Sequence, residues 1–181
     1  MGRVFEAHRC SIGRSASKET MRWVSKTRPT LQASPMSRSI EAIAAEFEAL
    51  RASDFDYANI GANGWERMDQ LCDEMLALND PAACAPILFR TMERLDNLEL
   101  GTPGSLVHTL EKWPSIYEPL LVESIRRKPM PLTVWMINRI LNAKPPDWED
   151  WFTLLRSGVD HPKASAQTKA EALRFIKFQT E

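Results

Sequence analysis

A chain of 181 residues, 44% hydrophobic and 26% charged with a net charge of −1, is long enough to bury a real core and is most economically one globular domain. Its three cysteines, Cys10, Cys72 and Cys84, are too scattered for a disulfide framework and no CxxC or Cys/His ligand spacing accompanies them, so a reducing, cytoplasmic setting is expected. Arg126, Arg139 and Lys144 interrupt the most hydrophobic region well short of the roughly 20 apolar residues of a membrane span, which excludes an integral membrane protein.

Residues 1–35 carry seven Arg or Lys against Glu6 and Glu19, a balance of plus five, with several serines and no sustained periodicity. That is the composition of a poorly structured basic tail. A transit peptide shares the Arg and Ser content, while a secretory signal would need an apolar core that is missing. Met36 opens "MSRSIEAIAAEFEAL", an amphipathic start, so residues 1–35 read as an upstream extension of the frame and 36–181 as the domain. A basic arm that grips nucleic acid is the functional alternative for the tail, although it lacks dense basic clusters or stacked aromatics beyond Trp23.

From Met36 onward, apolar spacing of 3.6 residues and punctuation predict helices over 37–51, 64–78, 81–96, 104–113, 116–128, 131–143, 147–157 and 163–178. Ile40, Ile43, Ala44 and Phe47 form the apolar stripe of the first. Asp80 before Pro81 supplies an N-cap oxygen followed by a residue that needs no N–H at the first helical position. Ser115 with Glu118 has the form of a capping box, and Asp147 with Asp150 is suited to cap and charge-stabilise the next-to-last helix. Gly101, Pro103 and Gly104 mark a mid-chain break, and Gly158, His161 and Pro162 another. Strand alternation is nowhere sustained. The expected fold is all-α, with about eight helices stacked as antiparallel, HEAT-like hairpins. One such hairpin is "LLVESIRRKPMPLTVWMINRILNAKPP", in which Leu120, Leu121, Ser124 and Ile125 line one side of the first helix. The second is apolar nearly all round through Val134, Trp135, Ile137, Ile140 and Leu141 and should be sandwiched between neighbours.

Side chains suited to catalysis are thin. His8, His108 and His161 are isolated from other ligands, so no metal is expected. Apolar neighbours suggest a partly buried, hydrogen-bonded structural role for His108 in preference to a general base. Asp160 beside His161 reads as turn chemistry. Cys72 has no adjacent cation to lower its pKa and reads as a small buried hydrophobe, as does Cys84. Phosphate-binding glycine motifs are absent; "LGTPGSL" fits a sharp turn into a helix better than an anion site. No cofactor and no catalysis are expected.

Charge is the most informative feature left. Between Glu41 and Asp80 ten acids face Arg51 and Arg67, a balance of minus eight, whereas Arg126 to the end carries plus four. The acidic stretch holds "SDFDYANIGANGW", whose Phe55, Tyr57, Ile60 and Trp65 lie among carboxylates. Charge steers a basic partner and desolvated rings anchor it, so Asp54, Asp56, Tyr57, Trp65, Glu66, Asp69 and Asp73 are the candidate partner-binding residues. The same acids also fit solvated helix faces with the rings packed inward. Arg126, Arg127 and Lys128 suit the negative end of a helix, and Asn138, Arg139 and Asn142 a polar packing edge. From Met36 the net charge is minus six, which argues against nucleic acid as the partner.

The run from "LGTPGSLVHTLEKW" through "YEPLLVESIRRKPMPLTVWMINRILN" to "HPKASAQTKAEALRFI" resembles helical immunity proteins of bacterial polymorphic toxin and contact-dependent inhibition systems. The resemblance covers roughly the last half of the domain. It implies a small cytoplasmic protein of stacked helices that binds a cognate toxin domain and blocks its active site or substrate channel. It transfers no catalytic residues, and the acidic and aromatic positions above come from charge and ring content alone. The alternative is a helical-repeat nucleic-acid-binding protein, which would require Arg126, Arg127, Lys128, Arg139, Lys163 and Lys169 to converge on one concave face.

Overall fold

The computed structural model describes residues 38–96 and 98–181, which belong to one compact unit; the expectations for residues 1–35 lie outside them. The described residues form eight α-helices and a one-turn 3-10 helix, with no strand among them. The helices are α1 (Ile40–Ala49), α2 (Gly64–Leu78), α3 (Pro81–Arg94), α4 (Gly104–Leu110), α5 (Pro114–Arg127), α6 (Pro131–Asn142), α7 (Trp148–Asp160) and α8 (Ala166–Thr180); the 3-10 turn spans Ala52–Phe55. None is long and apolar enough to cross a membrane.

The pattern of packing is that of stacked hairpins. Each consecutive pair packs together: α1 with α2, α3 with α4, α5 with α6, α7 with α8. The odd helices also stack in a row, α1 on α3, α3 on α5 and α5 on α7, and the even helices form a second layer, α2 on α4 and α6 on α8. That alternation of neighbour and next-but-one contacts is how an α-solenoid buries a continuous core. The second layer has one interruption, because α4 and α6 do not pack on one another in this way. The reason is partly length: α4 has seven residues, fewer than any other of the helices.

The apolar stripes anticipated for α1, α5 and α6 face the core, with Ile40, Ala44, Leu120, Trp135 and Ile140 half-buried. Ile43 and Phe47 of α1, Met68, Leu71 and Met75 of α2, and Leu121 and Ile125 of α5 are within the core. α6 lies among α5, α7 and α8, which accounts for its nearly continuous apolar surface: Val134, Met136, Ile137 and Leu141 are all buried. The polar edge of α6 is satisfied as well. Gln179 Nε2 donates to Asn138 Oδ1 at 2.8 Å and Asn142 Oδ1 at 2.6 Å, and Arg139 Nη2 donates to Glu111 Oε2 at 3.0 Å.

Several terminal details differ from expectation. Asp80 does cap α3, its Oδ1 accepting from Ala83 N–H at 3.2 Å. The Ser115–Glu118 capping box does not form, because Pro114 starts α5 two positions earlier and places Ser115 inside the helix. Asp147 occupies the N-cap of α7 without capping; its Oδ2 accepts instead from Trp151 Nε1 at 3.0 Å. The glycine turn before α4 is a sharp reversal with Gly101 at φ 84° and Gly104 at φ 68°, values that favour glycine.

Candidate partner-binding face

The acidic, aromatic segment folds as a small platform on the amino end of α2. Asp54 and Asp56 first serve the turn itself: Asp54 Oδ2 accepts from Arg51 N–H at 2.7 Å, and Asp56 Oδ1 accepts from Ala58 N–H at 2.9 Å. Asn59 continues the pattern by accepting from Gly61 N–H at 3.1 Å. These side-chain oxygens substitute for helix and strand ladders in holding an otherwise irregular backbone. The result swings Phe55 inward, where it is buried, and Tyr57 outward.

Trp65 joins the two rings. Phe55 meets it edge to face, with centroids 5.4 Å apart and planes at 86°, while Tyr57 stacks on it at 4.4 Å and 24°. Trp65 is itself fixed by its Nε1–H donating to the Glu99 carbonyl at 3.3 Å. Tyr57 nevertheless keeps 85% of its surface exposed, and Ile60 beside it is fully exposed. Aromatic stacking of this kind costs no rotamer freedom on binding, since the ring is already held.

Glu66, Asp69 and Asp73 fall at i, i+3 and i+7 on α2 and all three are exposed, so they form one stripe leading away from Trp65. Among the described residues no cation lies within 4.0 Å of Asp54, Asp56, Glu66, Asp69 or Asp73. Two other acids of the region behave differently. Glu46 and Glu74 are enclosed in a four-charge cluster between α1 and α2, in which Arg38 bonds both and Arg67 bonds Glu46. The net charge of the stretch therefore overstated the free negative surface, a correction that becomes visible once α1 and α2 are side by side.

The basic residues are more constrained than their charge suggests. Arg127 donates from Nε to Glu93 Oε2 at 3.2 Å, Lys128 lies 2.6 Å from Asp96, and Arg139 is held by Glu111. Arg127 and Lys128 thus tie the end of α5 to acids of α3 and of the turn after it, beyond any contribution to the helix end. Arg126, Lys163 and Lys169 have no acid within 4.0 Å among the described residues.

His108 is exposed, against the expectation of partial burial: it faces outward between buried Val107 and Thr109, its side chain retaining 60% of its surface. Its Nδ1 is 3.8 Å from Glu111 Oε2, outside hydrogen-bonding reach, and that carboxylate is already engaged by Arg139. His161 has a structural position. Its Nδ1 accepts from Lys163 N–H at 3.2 Å, so the proton resides on Nε2, which donates to the Arg126 carbonyl at 3.1 Å. Burial pushes the Cys72 thiol up to about 11, and Cys84, also raised by burial, donates its Sγ–H to the Met75 carbonyl; neither is an activated thiolate.

Linear reading missed a groove beside the platform. Between the end of α3, the turn that follows it and the start of α6, a hollow of about 230 Å³ is bounded by Met92, Leu95, Leu100, Met130 and Leu132. A second, of about 190 Å³, continues past Trp135 to Glu171 and Arg174, and Glu99 borders both. Further along α6 the gap is bridged by Arg139, which stacks 4.9 Å from the Trp135 ring centre while bonding Glu111 of the α4 terminus. The available signal was the doubled glycine turn after Glu99, which as sequence fits a sharp turn into a helix better than an anion site. Comparison of the chain with models of known protein families, with curated proteins and with solved structures finds no match.

Proposed function

We propose that this chain is an immunity protein, one that neutralises a cognate bacterial toxin domain by occupying its active site or substrate channel. It acts by binding, without catalysis or cofactor, in the cytoplasm. The observation that carries the reading is Tyr57: a ring stacked on Trp65, 85% exposed, and set among five carboxylates that no described cation neutralises. Exposed carboxylates raise the encounter rate with a basic partner, and a pre-oriented tyrosine supplies the desolvated anchor that such interfaces concentrate their energy in. A nuclease suits this face, since its substrate channel must itself be basic to hold phosphates. The resemblance of residues 100–176 to helical immunity proteins and the two-layer helical stack support the same reading.

The test is capture of the partner of the tagged full-length chain in the organism that encodes it, followed by expression of that partner alone and with this chain. One stoichiometric protein that arrests growth alone and not in combination is the expected result. Association should slow with salt, and Tyr57→Ala should weaken the complex by roughly 30-fold, as loss of a central aromatic anchor does. A harmless partner would remove the immunity assignment. Mixed nucleic acid eluting steeply with salt would replace it by nucleic-acid binding.

A further inference from the structure

We infer that the hollow between the end of α4, the start of α5 and the end of α6 is a binding subsite for an alkylammonium group. It shares no residue with the Tyr57 platform and does not depend on what that platform binds.

The hollow measures about 670 Å³ and is bounded by Glu111, Tyr117, Glu118, Arg139, Ile140 and Pro145. What marks it is Tyr117. The residue is only 7% exposed, yet its hydroxyl has no hydrogen-bond partner among the described residues. Nor is that oxygen sealed in the core, as the unpartnered Ser105 Oγ is. Tyrosine hydroxyls usually hydrogen-bond when the ring is buried; this one opens on the hollow with its bonding capacity unused by the fold.

Charge at the wall selects a cation. Glu118 is half-buried and has no described cation within 4.0 Å. Burial raises its carboxyl above the ordinary range, and nearby Asp147 raises it further. Burial, then Glu118 and Glu111, push the Tyr117 phenol up to about 12 against the opposing pull of Arg139. A cation bound among these groups favours their charged forms. An anion finds no such match, because the hollow's own cation is spent: Arg139 donates from Nε and Nη2 to Glu111 and lies over the Trp135 ring, 4.9 Å from its centre. A metal ion fits poorly too, since no three acids, histidines or cysteines converge among the described residues.

The form of the cation follows from what is already occupied. Glu111, the carboxylate that offers a fork to a guanidinium, is bonded to one. An ammonium carries three donors on one centre and needs no planar match, so Glu118 can take its charge while the Tyr117 oxygen accepts a second hydrogen. Ile140, Ala143 and Pro145 give the alkyl stem an apolar wall.

The test titrates the ¹⁵N-labelled full-length protein, at fixed ionic strength, with n-butylammonium, with its uncharged counterpart 1-butanol, and with the end-blocked tripeptide Gly-Lys-Gly. The cation is expected to shift the amides of Tyr117, Glu118, Ile140 and Ala143 saturably, and the alcohol to bind roughly tenfold or more weakly. Glu118→Gln, which keeps the size of the side chain, should weaken the cation roughly tenfold, and Tyr117→Phe, which removes the hydroxyl alone, roughly fivefold. Shifts that grow without saturating, that are equally large along Glu66, Asp69 and Asp73 of α2, or that persist unchanged in Glu118→Gln would overturn the inference. Tighter binding of the tripeptide than of butylammonium assigns the subsite to a lysine of another protein, and the reverse order assigns it to a free amine; saturable binding of either supports it.

Discussion

Gly64 is where the exposed platform is joined to the helix beneath it. A Cβ there would lie 2.6 Å from the Asp54 carbonyl oxygen and 2.9 Å from its carbon, with Phe55 Cδ1 at 3.0 Å. The first two are backbone atoms and have no rotamer to escape into. Gly64→Ala is therefore expected to lever the Ala52–Phe55 turn off α2 at a cost of about 1–3 kcal/mol, the range of overpacked sites. Urea unfolding measures the loss, and near-ultraviolet circular dichroism should report a disturbed Phe55–Trp65–Tyr57 stack. Unchanged values for both would show that the turn is not seated on Gly64. At this scale the sequence identified the platform's rings and acids by type, since Phe55, Tyr57 and Trp65 stand out among carboxylates. It did not reveal which ring is buried, because that depends on how Asp54 and Asp56 fold the chain back. His108 shows the same limit: apolar sequence neighbours on a helix point to other faces, so Leu106, Val107 and Leu110 are buried while His108 is exposed.

Helices were legible as elements because a 3.6-residue apolar period is independent of what the stripe packs on. Ends were less so, as they answer to tertiary contacts. Trp113, preceding Pro114, takes a non-helical φ of −127° and ψ of 60°, so α4 stops earlier than its pattern suggested. Gly158 was read as a stop, yet α7 continues to Asp160; the glycine is buried inside the helix and faces Val134 and Pro129, where it permits close approach. α1 has no basic residue in its last turn, and its cap comes from elsewhere in the chain. Arg94 of α3 donates Nη1 to the Leu50 carbonyl and Nη2 to the Phe47 carbonyl, each at 2.6 Å. The charged fork satisfies the Leu50 carbonyl, which lies beyond the helix, and adds to the Leu50 N–H already donated to the Phe47 carbonyl. Arg94→Ala should cost about 1–3 kcal/mol and speed amide exchange throughout α1. Arg94→Lys, with a single point of contact, should recover only part of the loss. If α1 amides exchange at the parent rate in Arg94→Ala, the fork is dispensable.

Over the whole molecule, the two layers are unequal, and that inequality locates the weakest seam. Odd helices are stacked without a break, whereas the even layer is interrupted between α4 and α6. That break was not legible, because it follows from the shortness of α4 relative to helices far from it in sequence. The α1–α4 and α5–α8 halves consequently depend on the α3–α5 contact, supplemented by the Glu111–Arg139 bridge. Where the carboxyl ends of α3 and α5 meet, Glu93 accepts from the fully buried Ser124 hydroxyl at 2.8 Å and from Arg127 at 3.2 Å. In a stack where each hairpin meets only its neighbours, cooperativity resides in such interfaces. Glu93→Ala leaves the Ser124 hydroxyl buried without its partner and frees Arg127, at an expected cost of about 1–3 kcal/mol. The loss should fall on coupling more than on either half: amides of α1–α4 and α5–α8 are expected to exchange with a common free energy in the parent and to separate into two groups in the variant. Glu93→Gln retains an acceptor for Ser124 while giving up the charge on Arg127, so it should lie between the two. A variant that still opens as one unit, with every amide shifted equally, would place the coupling in the apolar packing of the seam and not in Glu93.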